Sequence, residues 1–162
     1  MSVRTCLVLT FLLLPSLFGQ NHAVCDLVMQ DEADALLRGS SKQLAVTSMG
    51  CGYSNRANGL RLTITVMDLG NMANTTWDGM KSQAQKNNSL VGGEPGMGSN
   101  AYSQMIKRSA ASSAGRCAFV AVKGTKVIQV VVTDEAEKDD LAGKKEMLDK
   151  LRPVAQKAVE RL

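Results

Sequence analysis

Residues 116–133 carry two apolar, β-branched runs on either side of Lys123-Gly124-Thr125. Gly124 can take the positive φ that a short hairpin loop needs, so this stretch predicts a β-hairpin. Side chains alternate along a strand, which puts Ile128, Val130 and Val132 on one face of the second run. Val127, Gln129, Val131 and Thr133 share the mixed opposite face. The first run is apolar on both faces, with Val120 and Val122 on one and Cys117, Phe119 and Ala121 on the other. A hairpin of this kind belongs near the middle of a sheet, covered on its richer face.

Residues 60–67 alternate most cleanly, with Leu60, Leu62, Ile64 and Val66 inward and Arg61, Thr63 and Thr65 outward. Asn58-Gly59 just before them is a turn signal. Residues 43–47, 50–54 and 101–106 are further strand candidates. Residues 30–39 predict a short helix: acids crowd its start, Arg38 lies at its end and Gly39 offers a left-handed stop. A second helix is predicted from Asn74 to about Lys86, with Trp77, Met80 and Ala84 on one side. Residues 92–98 read as a Gly-rich loop without the Lys-Ser/Thr ending of a phosphate loop, and residues 107–115 as a small, polar loop. The acidic run 134–140 precedes a last helix striped by Leu141, Leu148, Leu151, Ala155, Ala158, Val159 and Leu162. Pro153 is expected to kink or divide it.

The predicted order is α-β-β-α-β-β-β-α. It implies an α+β domain: an antiparallel sheet of about five strands with helices packed on one face.

The N-terminal pattern is different. Arg4 precedes a short apolar run, residues 6–18, followed by small and polar residues. A basic start, a short apolar core and small residues make a secretory signal peptide, and the run is shorter than the roughly 20 residues that span a bilayer. The expected organisation is a signal peptide at residues 1–23 and a single exported domain at 24–162, periplasmic or extracellular. Val24 stands where lipoprotein processing usually has a small residue before the cysteine, which argues against a lipid anchor on Cys25. The membrane then enters only through the export signal.

Composition narrows the function classes. The 162 residues are 44% hydrophobic, enough for a packed core. Aromatics are only 4%, which supplies few stacking platforms for bases or sugars. The formal charge is +4 and falls to +3 when Arg4 leaves with residues 1–23. That excess is scattered, so no nucleic-acid partner is expected. The single histidine is His22. A chain cut after Ala23 therefore has no Ser-His or Cys-His pair and no His-ligated zinc. The acidic run does not match calcium-loop spacing, so neither a metal nor a cofactor is expected. Asn74-Thr75-Thr76 and Asn87-Asn88-Ser89 match the glycosylation sequon, which matters only in a eukaryotic secretory pathway.

Three cysteines follow the leader: Cys25, Cys51 and Cys117. Cys25–Cys51 is the preferred bridge, because each ends a local element whereas Cys117 lies inside a strand. Cys51–Cys117 is the alternative pairing. A loop of the preferred length stabilises by about 3.5 kcal/mol on the chain-entropy estimate. Cys117 then reads as a small buried hydrophobe.

The segments Cys25-Asp26-Leu27-Val28-Met29, Glu32-Ala33, Leu37-Arg38-Gly39, Cys51-Gly52-Tyr53 and Gly96-Met97-Gly98-Ser99-Asn100-Ala101-Tyr102 carry a resemblance. Together they resemble a family of small exported bacterial proteins of unknown function, many of them actinobacterial cell-envelope lipoproteins. Members open with Cys-x-Leu-Leu-Thr, follow with a Glu-Ala-rich helix ending Leu-Gly and a Cys-x-Tyr strand, and later carry a Gly-Leu-Gly-x-x-Ala-Tyr turn. Ser99 replaces a usual Asp, Cys117 is extra, and the lipid-attachment sequence is absent. The resemblance implies a Cys25–Cys51 bridge and an envelope location. It implies no activity.

The function expected first is a non-catalytic binding or interaction module of the envelope or periplasm, for an unknown protein or a small envelope ligand. Its candidate binding surface is Trp77 with Gly96, Met97, Gly98 and Tyr102. For Trp77, the commoner use is as a core anchor. The alternatives are a protein inhibitor or assembly subunit using the 92–98 loop, and a hydrolase without a histidine-based site. For the last, Glu94, Cys117, Lys123 and Lys126 are present, but no recognised spacing joins them and no catalytic set is assigned.

Overall fold

The computed structural model describes residues 24–44, 47–107, 114–135 and 141–162. The leader read at residues 1–23, most of the 107–115 loop and the end of the acidic run lie outside the described residues.

The elements run α1 (Gln30–Leu36), β1 (Lys42–Gln43), β2 (Gly50–Asn55), β3 (Leu60–Asp68), α2 (Ala73–Lys86), β4 (Leu90–Gly93), β5 (Asn100–Ile106), β6 (Gly115–Lys123), β7 (Lys126–Asp134) and α3 (Leu141–Arg161). One antiparallel sheet has the order β1-β2-β3-β7-β6-β5-β4. Two meanders meet where β3 pairs with β7 from Leu60↔Asp134 to Asp68↔Lys126. The apolar hairpin β6–β7 therefore lies at the middle of the sheet, as its two-sided pattern requires. Its two-residue loop has Gly124 at φ 60, the positive value that a tight hairpin turn takes.

Three expectations need correction. The sheet has seven strands, not about five, and the order of the elements is α-β-β-β-α-β-β-β-β-α instead of the predicted α-β-β-α-β-β-β-α. β1 is only two residues long, and β4 recruits Gly92 and Gly93 from the predicted loop. A short Gly-rich edge strand has no apolar alternation to reveal it. The helices also occupy both faces. α1 and α3 cover the face of Leu62, Ile64, Phe119, Ile128, Val130 and Val132. α2 covers Tyr102, Val120, Val122 and Val127 on the other. The reason lies in β6: with apolar side chains on both faces, it needs cover on both.

α1 ends earlier than predicted. Gly39 N–H donates to Asp34 O at 2.9 Å and Arg38 N–H to Ala35 O at 3.4 Å, which closes a Schellman turn. The residue in the left-handed region proper is Arg38, at φ 58. The Asn55 and Asn58 side-chain amides both donate to Leu37 O, at 3.0 and 2.7 Å, and tie the helix end to the β2–β3 turn. α3 runs through Pro153 as one assigned helix, with the ring on its exposed side. Its buried stripe includes Leu148, Leu151, Ala155, Ala158 and Val159. Among the described residues no helix is long and apolar enough to cross a membrane.

Cys25 and Cys51 are disulfide-bonded, with their Cα atoms 5.2 Å apart. The bridge ties the chain before α1 to β2. Tyr53 O–H donates to Val28 O at 2.8 Å beside it. Cys117 stays outside the bridge and is buried, and its thiol donates to Lys144 O at 3.3 Å.

Candidate functional site

α2 packs over only part of its sheet face. Trp77 fixes it there: the ring is 6% exposed, and the indole N–H donates to Val120 O at 3.3 Å. Tyr102 meets it edge-on, at 5.6 Å between ring centroids and 62° between planes. The Lys81 ammonium sits 4.8 Å from the Trp77 ring centroid, within cation–π range. Trp77 is therefore a core anchor, with no free ring face for a ligand.

Where α2 runs out toward its C-terminus, a cleft of about 610 Å³ opens between it and the sheet. Met80 and Ala84 come from α2, Tyr102, Gln104 and Ile106 from β5, and Gln129 from β7. Alternation along β5 places Tyr102 and Gln104 on one face, and the register sets Tyr102 and Gln129 on either side of Val120. Tyr102 is 1% exposed, and its hydroxyl, which makes no hydrogen bond among the described residues, keeps its contact with the cleft. A ligand in the cleft would take the place of water on this phenol. Burial pushes its pKa up to about 12, so it stays a neutral O–H at physiological pH. The Gln104 amide likewise has no partner among the described residues. Gln129 makes only a long contact to Met80 Sδ, at 3.7 Å. Among the described residues no carboxylate lines the cleft, and Lys107 is the charged group on its lining.

The predicted binding surface divides between two places. Trp77, Gly96, Met97 and Gly98 line a separate groove of about 300 Å³, near the N-terminal half of α2. Tyr102 lines the larger cleft instead. Met97 is buried in the core of the α3 face. Gly98 has φ 69, and a Cβ there would lie 2.3 Å from Val122 O. Ser99 N–H donates to the same carbonyl at 2.8 Å. Glu94 takes the Arg152 guanidinium through both carboxylate oxygens, at 3.0 and 3.3 Å. The Gly-rich segment is thus pinned at both ends, with Gly93, the Pro95-Gly96 tip and the turn after Met97 exposed to solvent.

Sequence reasoning did not single out Gln104, Gln129 or Met80 for the cleft. The available signal was a pair of amides on strand faces whose neighbours are apolar. Nor does the fold gather the residues weighed for an enzyme. Glu94 is bound to Arg152, Lys123 Nζ donates to Val159 O and Glu160 O at the end of α3, and Cys117 lies beneath α3. Among the described residues no cluster of three or more His, Cys, Asp or Glu could hold a metal ion. No protein-family model matches the chain, and no curated protein matches it.

Proposed function

We propose that this chain is an exported, non-catalytic binding module of the cell envelope or periplasm, and that the cleft between α2 and the sheet holds its ligand. The observation that carries this reading is the Tyr102 hydroxyl, which makes no hydrogen bond among the described residues, on the wall of a cleft of about 610 Å³. A cleft of this size, with polar groups from the sheet and from Gln83, Asn87 and Asn88 at the end of α2 beside the apolar Met80, Ala84 and Ile106, has the features of a small-molecule site. The disulfide, the predicted leader and the resemblance to envelope proteins support export.

Intact-mass measurement of the protein from its native host tests the reading, first under non-denaturing and then under denaturing conditions. A mass lost on denaturation, and missing from Tyr102→Phe protein, is the expected result. A passenger kept equally by Tyr102→Phe and Gln104→Ala proteins would place the ligand elsewhere.

A second reading, an inhibitor or assembly subunit, rests on the pinned segment 93–98. Its fixed backbone pre-organises the Pro95-Gly96 tip for insertion into a partner. Replacing Pro95 and Gly96 with longer flexible residues should abolish partner capture on this reading and leave the cleft's ligand in place.

A further inference from the structure

The cleft's chemistry narrows its ligand. Tyr102 and Gln104 on β5 and Gln129 on β7 bring one phenol and two amides to a single sheet face, with β6 between them. Two strand spacings separate β5 from β7 by roughly 10 Å, a width that one extended chain can bridge. Each amide offers both a donor and an acceptor, the complement of a peptide group. Met80 and Ile106 add an apolar wall, and methionine adapts its shape to differing side chains. A cationic ligand would find no carboxylate among the described residues of this lining. A sugar ring or nucleobase would find no open aromatic face, because Trp77 and Tyr102 are both buried.

Building on the cleft as the binding site, we infer that its ligand is a short, extended peptide segment with apolar side chains and no positive charge, its main-chain amides bonded by Tyr102, Gln104 and Gln129. The test titrates acetyl-Ala-Leu-Ala-amide, acetyl-Ala-Lys-Ala-amide and maltotriose at millimolar concentration into isotope-labelled protein and follows backbone amide resonances. The leucine peptide should give saturable shifts along β5, β7 and the second half of α2, and the lysine peptide weaker ones, because Lys107 repels it and no described carboxylate offsets its charge. Gln104→Ala, at a half-buried position, should weaken the leucine peptide about fivefold, the loss of one neutral hydrogen bond. Saturation by maltotriose at these residues, with neither peptide binding, would overturn the peptide assignment and leave the cleft standing. Shifts confined to other surfaces, or no saturation by any probe, would overturn both.

Discussion

Glu32 shows how much one side chain can hold. It accepts from Arg161 and Lys157 on α3 and from the Met29 N–H at the start of its own helix. These contacts, the Arg161 hydrogen bond foremost, pull its carboxyl from 4.5 down to about 2 against the desolvation that would raise it. A carboxyl depressed on folding stabilises fully above its unfolded value and loses that contribution as pH falls from 4.5 toward about 2. Acid titration of unfolding should therefore show a loss of stability in that window, which Glu32→Gln protein lacks. At neutral pH the substitution should cost about 2 kcal/mol, less than full linkage because Lys157 and Arg161 are partly exposed. Arg38 makes the opposite case. Its left-handed backbone, φ 58, is strained for any residue with a Cβ. Arg38→Gly should raise the urea midpoint by the equivalent of about 1 kcal/mol. Glycine at position 39 made the helix stop legible in the sequence, but not which of the two residues turns left-handed. That choice depends on Asn55 and Asn58 holding Leu37 O.

Among the elements, the long strands and both long helices were legible, because each has a full period of apolar positions to declare it. β3 and β7 span nine residues each and α3 spans 21, and all three follow the predicted pattern closely. β4 was not legible. Leu90-Val91-Gly92-Gly93 becomes a strand only because β5 offers it an edge. The segment after β4 is likewise fixed by contacts distant in sequence, which makes its two turn glycines unequal. Gly98→Ala would drive a Cβ into Val122 O and should destabilise by about 3 kcal/mol or more, as overpacking and backbone strain combine. Gly96→Ala has φ 82 but open space around it and should cost only about 1 kcal/mol. Paired thermal melts followed by the single tryptophan, Trp77, would check the contrast.

Across the whole molecule, the disulfide and the β3–β7 seam join parts of the chain that local structure leaves separate. Replacing both Cys25 and Cys51 by Ser should lower unfolding stability by about 3 kcal/mol in denaturant titration. Cys117 should resist alkylation until the protein unfolds, since it is 3% exposed. Mass spectrometry after timed alkylation would register earlier labelling if the thiol were accessible. The sequence by itself determined the α+β class, the central hairpin and the three helices, which follow from periodicity, a local property of the chain. It favoured Cys25–Cys51 and left Cys51–Cys117 open, and the fold decided between them. Only the tertiary structure decided that α2 covers the face opposite α3, that β7 joins β3, and that Tyr102, Gln104 and Gln129 share one cleft. Those outcomes depend on which apolar faces find each other. That pairing sets the burial of side chains far apart in sequence, and with it which polar groups are left without partners.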